Sequence, residues 1–173
     1  YALEVTQKVS PTATFLVQAA LHESTRTGTA RSLQHLLPAD LTVAGKTGTS
    51  SDLRDSWFAG FTSDRLAVVW VGRDDNGVTG LTGGTGALPI WADVLVSSRP
   101  QPLDLAPPEG VQWRWVVRDQ ERVLLGSEAC ADGLKLPFLD GTEPAEVASC
   151  AGQANFPPIE KTFEWFKGLF NRN

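Results

Sequence analysis

Three short apolar segments follow one another at the centre of the chain: Leu41–Thr49 (LTVAGKTGT), Ser56–Thr62 (SWFAGFT) and Arg65–Gly72 (RLAVVWVG). The links between them, Ser50–Asp55 and Ser63-Asp64, are very short. Parallel strands need a crossover of about a dozen residues or more, usually a helix, whereas antiparallel strands can be joined by a tight turn. The spacing therefore predicts an antiparallel three-stranded meander.

Helical patterns flank it. Ser10-Pro11 reads as an N-cap followed by proline in the first helical position, and Phe15, Leu16, Ala19, Ala20 and Glu23 follow at helical spacing as far as the polar run Ser24–Thr29. Ala87–Ser97 (ALPIWADVLVS) predicts a second helix, with Ile90, Trp91, Val94 and Leu95 on one side. Before the first helix, Tyr1, Leu3, Val5 and Val9 recur at period two and predict a strand with one wet face. Helix, three antiparallel strands, helix is an α+β order, an antiparallel sheet flanked by helices. Trp57, Phe58, Trp70 and Trp91 are expected in its core.

Composition shifts at residues 99–110 (RPQPLDLAPPEG), whose four prolines predict a semi-rigid linker. Beyond it, Val111, Trp113, Trp115 and Val117 alternate along one strand, and Asp119-Gln120 could turn the chain into a partner strand, Arg122–Leu125. Residues 111–154 thus read as a small β appendage holding both cysteines, Cys130 and Cys150. A second proline-rich link leads to a helical stretch within residues 155–173, with Phe163, Phe166, Leu169 and Phe170 as its apolar stripe. Docking on the body or a partner surface is the expected use of that stripe.

A formal net charge of −5 argues against a general nucleic-acid binder, which would present a basic face. No apolar run approaches the ~20 residues of a membrane-spanning helix, and no signal peptide opens the chain. The chain starts on Tyr and contains no Met, so a piece of a longer protein is expected, with any anchor or export signal upstream. Two histidines and two cysteines outside any CxxC make a zinc site improbable. On composition alone the cysteines are either two separate thiols or a disulfide.

Gly45-Lys46-Thr47-Gly48-Thr49 carries the chemistry. A lysine in mid-strand among small residues is a poor core pattern and a good anion-recognition pattern. Lys46 supplies positive charge, Thr47 and Thr49 supply hydroxyls, and Gly48 leaves room for a ligand backbone to lie against the strand. Elsewhere the plain readings prevail. Thr79–Gly86 (TGLTGGTG) lacks the ending of a phosphate-binding P-loop. Asp74-Asp75-Asn76 reads as an acidic turn rather than a cation site, and His22 and His35 as lone histidines without a catalytic role, His22 at a surface or loop position.

GKTGTS, DSWFAGFT, VVWVGRDDN, the Gly-rich loop and ALPIW resemble the C-terminal half of the transpeptidase domain of class A penicillin-binding proteins, over roughly residues 1–100, which implies that residues 1–98 are that half-domain. His22–Ala30, with Gly28-Thr29-Ala30 at its end, is similar to that family's segment before the K-T-G strand. The linker, the two-cysteine appendage and the terminal WFKGLFN look like the 1b type. The resemblance implies the serine β-lactamase / D,D-peptidase fold and a serine D-Ala-D-Ala transpeptidase/carboxypeptidase activity without cofactor or metal. A Ser in S-x-x-K attacks D-Ala-D-Ala, S-x-N moves protons, and K-T-G binds the substrate carboxylate. The present chain has neither S-x-x-K nor S-x-N. Both are expected on an upstream segment of the same protein.

Carried onto matching positions, the resemblance makes Lys46 the charge beside the carboxylate and the S-x-N serine, and Thr47 and Thr49 hydroxyls its hydrogen-bond partners. The Thr49 N–H becomes one oxyanion-hole donor. Peptidoglycan stem peptides and β-lactams are the implied partners, with an outer regulatory protein besides; an upstream glycosyltransferase domain and a location on the periplasmic face of the inner membrane are implied too. That oxidising location implies a Cys130–Cys150 disulfide. The competing readings are a β-lactamase-like hydrolase, against which the linker and appendage speak, and a non-enzymatic β-lactam sensor or wall-binding module, which upstream sequence would separate.

Overall fold

The computed structural model describes residues 6–150. They divide into two units, residues 20–105 and, together, residues 6–19 and 106–150. Helix α1, Pro11–Arg26, runs through that division. Its N-cap is Ser10, whose Oγ accepts the Ala13 N–H at 3.2 Å. Of the strand expected over Tyr1–Val9, residues 1–5 lie outside the described residues, and residues 6–9 form no strand. The helix expected within 155–173 also lies outside them.

In the first unit, β1 (Ala44–Thr49), β2 (Ser56–Phe61) and β3 (Leu66–Val71) form the expected antiparallel meander in the order β1-β2-β3. A short helix α2 (Leu33–Leu36), which the sequence reading missed, precedes β1, and α3 (Ala87–Ser97) follows β3. One face of the sheet presents Phe58, Ala67, Val69 and Val71 to a core of Ala30, Leu33, Val43, Leu88, Trp91 and Leu95. Phe58 and Trp91 meet edge to face, ring centroids 4.9 Å apart, and Trp91 Nε1 donates to the Ala67 carbonyl at 3.1 Å. A bulky buried pair of this kind contributes beyond its burial.

The α3 face is also corrected. Leu88, Trp91, Ala92 and Leu95 are buried, while Ile90 and Val94 are exposed. The helix is apolar nearly all round, so its pattern did not single out one side. Likewise Trp57 and Trp70, expected in the core, lie on the opposite face of the sheet, 44% and 45% exposed, as a tilted pair 6.1 Å apart. Leu66 and Val68 share that uncovered face.

Room for the buried aromatic pair comes from a cross-strand pair of glycines, Gly45 opposite Gly60. A β-carbon on Gly60 would lie 2.6 Å from Trp91 Cζ2 and 2.7 Å from Phe58 Cε1. Both rings are fully buried and cannot swing away. Gly60→Ala is therefore expected to destabilise by about 1–3 kcal/mol, the usual cost of overpacking. Thermal melting checks this; an unchanged midpoint would remove the packing role.

The proline-rich stretch after α3 does not begin as a free linker. Leu103 is buried and its N–H donates to the Thr42 carbonyl at 2.8 Å. Ser63 Oγ donates to the Pro102 carbonyl at 2.6 Å and accepts the Asp104 N–H at 3.1 Å.

In the second unit, β4 (Val111–Asp119) is central between β5 (Arg122–Leu125) and β6 (Leu134–Leu139), all antiparallel. Phe15 of α1 packs edge-on against Trp113, centroids 5.8 Å apart. Residues 146–148 run beside β5: the Leu125 N–H donates to the Glu146 carbonyl and the Ala148 N–H to the Leu125 carbonyl, both at 2.7 Å. Cys130 and Cys150 are paired through their sulfurs, Cα atoms 5.3 Å apart. Among the described residues, no helix is long and apolar enough to cross a membrane.

Candidate active-site strand

The K-T-G-T sequence lies on β1, an edge strand of the meander. Past its end, the Ser50 N–H donates to the Asp55 carbonyl at 3.1 Å. Since an antiparallel ladder alternates, Lys46 and Gly48 turn their backbone groups toward β2, and Gly45, Thr47 and Thr49 turn theirs to the outer edge. The C-terminal half of α1 occupies the first part of that edge. His22 Nδ1–H donates to the Val43 carbonyl at 2.7 Å, and Ser24 Oγ donates to the Gly45 carbonyl at 2.5 Å. His22, read from the sequence as a surface or loop residue, is instead a half-buried tie between α1 and the strand entry.

At Thr47 and Thr49 α1 no longer covers the edge. Lys46 Nζ curls over the strand and donates to the Thr47 carbonyl at 2.9 Å, with Thr47 Oγ1 at 3.5 Å. Partial desolvation there lowers the Lys46 pKa from the ordinary lysine value. The side chain still reaches solvent. Its ammonium, the two threonine hydroxyls and the outward amides thus gather at one short stretch of strand. The charge and donors suit a carboxylate, which the planar, donor-rich edge of a strand can bind in place of a neighbouring strand.

Both hydroxyls are held from outside the strand. Thr29 Oγ1 lies 2.6 Å from Thr47 Oγ1. Gly83 N–H donates to Thr49 Oγ1 at 2.9 Å. Thr29 belongs to the Gly28-Thr29-Ala30 segment already noted; Gly83 was missed. A Gly-Gly step in the loop was the one available signal, because the contact spans 34 positions. The loop's amides also argue against a phosphate cradle: besides Gly83, those of Thr85 and Gly86 donate to the Thr82 carbonyl at 3.1 and 2.9 Å.

After β3, Asp75 is taken up by the forked guanidinium of Arg73, at 2.9 and 2.8 Å, and by the Gly77 N–H at 3.0 Å. Those contacts, the Arg73 pairing first, lower its pKa to about 2. It serves as the acidic turn read from the sequence.

No family model matches the chain. Among curated proteins it is 46% identical over 107 residues to penicillin-binding protein 1B of Haemophilus influenzae, covering 62% of this chain and 14% of that protein. It is 35% identical over 161 residues to penicillin-binding protein 1B of Vibrio cholerae, covering 93% and 20% respectively. A crystal structure of penicillin-binding protein 1A from Haemophilus influenzae is similar with a TM-score of 0.66 and 25% identity, over 82% of this chain and 22% of that one. The chain thus spans a fifth or less of the curated relatives just named. Sequence and fold together make it a class A penicillin-binding protein chain that corresponds to the C-terminal part of the transpeptidase domain.

Proposed function

We propose that this chain supplies the carboxylate-binding strand of a peptidoglycan D,D-transpeptidase. The observation that carries the proposal is the open stretch at Thr47–Thr49, where Lys46 and two externally held hydroxyls converge on one strand edge. In this reading the carboxylate of a D-Ala-D-Ala stem peptide, or of a β-lactam that mimics it, lies against Thr47 and Thr49 beside Lys46. The Thr49 N–H is on the outward side and polarises the scissile carbonyl as one oxyanion donor. The nucleophilic serine of S-x-x-K, with its own N–H as the second donor, and the S-x-N motif come from an upstream segment. The uncovered sheet face with Trp57, Trp70, Leu66 and Val68 is a natural seat for that segment. Attack forms an acyl-enzyme and expels D-Ala, and a neighbouring stem-peptide amine then takes the acyl group. A glycosyltransferase domain, a membrane anchor and a periplasmic location belong to the same reading of the whole protein.

The test is labelling of the full-length protein with a fluorescent penicillin. A long-lived adduct on the upstream serine is expected; rapid turnover would make the protein a hydrolase instead.

The lowered Lys46 pKa adds a pH prediction. Only the protonated ammonium attracts a carboxylate, so acylation should fall as pH rises through the Lys46 pKa. With desolvation lowering that pKa, the fall should begin below the ordinary lysine value of about 10.4. Lys46→Arg keeps its charge far higher and should move the fall upward. An alkaline limb that stays in place in the Arg variant would assign it to another group.

A further inference from the structure

We propose that Gly83 is a positioning residue for the acyl donor's carboxylate, acting through the Thr49 hydroxyl; this rests on the transpeptidase reading. A threonine hydroxyl has one hydrogen to donate and two lone pairs to accept with. Thr29 Oγ1 and Thr47 Oγ1, 2.6 Å apart, can exchange donor and acceptor roles. Gly83 cannot: its N–H only donates, and at 2.9 Å it occupies a lone pair of Thr49 Oγ1. The Thr49 hydrogen is thereby turned away from the loop and left to donate elsewhere. A hydroxyl prepared as a donor suits an anion and costs less ordering when the carboxylate arrives.

The position admits only glycine. A β-carbon at residue 83 would lie 2.6 Å from the carbonyl oxygens of both Gly48 and Trp57 and 2.9 Å from the Gly48 nitrogen. These are backbone atoms of paired strands and cannot swing aside. The loop is anchored where it presses on them. The Gly83 carbonyl accepts the Leu88 N–H at 3.0 Å, in the first turn of α3. Fully buried Ser56 donates its Oγ to the Thr82 carbonyl at 2.7 Å and accepts the Ala87 N–H at 2.8 Å. Helix α3 thus holds the Gly83 amide over the strand.

A double-mutant cycle on the full-length protein tests this, reading the second-order rate of penicillin acylation alongside thermal melting. Gly83→Ala is expected to slow acylation about tenfold when Thr49 is present, as a lost or misdirected hydrogen bond to a charged group does. In a Thr49→Val background, with no hydroxyl to orient, the same change should cost less than about twofold. Equal losses in both backgrounds, or no loss with Thr49 present, would overturn the proposal. Should Gly83→Ala fail to fold, Ser56→Ala loosens the Thr82–Gly83 step without adding an atom. Its loss must then also vanish with Thr49→Val, and persistence of that loss is equally decisive against the proposal. If the unsubstituted full-length protein takes up no penicillin, the transpeptidase reading falls and this one with it. Acylation with additive losses removes only the role of Gly83.

Discussion

Lys46→Ala in the full-length protein is expected to slow penicillin acylation at least as much as Thr49→Val, and Thr49→Val about ten- to a hundredfold. The second figure follows from one hydrogen bond to a charged carboxylate, worth about 1.5–3 kcal/mol, converted to a rate. Thr49→Ser keeps the hydroxyl and should keep most of the activity. Lys46 has more to lose than a single bond. Its ammonium provides the positive charge at the open edge, and it also holds the Thr47 carbonyl at 2.9 Å. Asp75→Ala is the control, since that carboxylate is engaged in its own turn, and it should acylate near the parent rate. A folded Lys46→Ala protein acylating at the parent rate would leave the strand without a role.

The second large effect concerns stability. Cys130 and Cys150 are 20 positions apart. Closing a loop of that size stabilises by roughly 3 kcal/mol in the chain-entropy model. Strand β6, within the enclosed segment, is held by its pairing with β4; the stretch after it, up to Cys150, is tied down more weakly. Residues 146–148 attach to β5 through two hydrogen bonds, Val147 is 75% exposed, and the Arg122–Glu146 ion pair is at the surface, where such pairs contribute little. Replacing both cysteines by serine should therefore lower the stability of the β4–β6 unit by about that amount. Acylation should be unaffected, because β1 belongs to the other unit. Calorimetry with and without reductant measures it; two titratable thiols in the native, unreduced protein would defeat it.

The meander was legible because its links are too short for any other connection, and α3 because its apolar run is bounded by Gly86 and Ser98. Faces were less legible. Period two groups Trp57 with Trp70, and Phe58 with Val69, but says nothing of which group is covered. Strand β6 was missed because Pro137 lies within it, and proline argues against a central strand. Its place at the edge of the β5-β4-β6 sheet, opposite Trp113, removes the objection. In the candidate site, residue types were readable from K-T-G-T itself. The supports of its hydroxyls, Thr29 and Gly83, come from loops whose paths no periodicity encodes.

The hydrogen bonds from α1 to the strand entry have a further consequence. A bare sheet edge lets an incoming chain slide by two residues and find an equivalent set of partners, since the ladder repeats with that step. Here the carbonyls at Val43 and Gly45 are already engaged by His22 and Ser24. A ligand shifted two residues toward the strand's start would meet at Gly45 a carbonyl already bound by Ser24, and the flank of a helix. In the proposed function, the docking register is thus set by which backbone groups are already engaged, before shape or side-chain fit enters, and the same ties oppose the annealing of a second sheet along the edge.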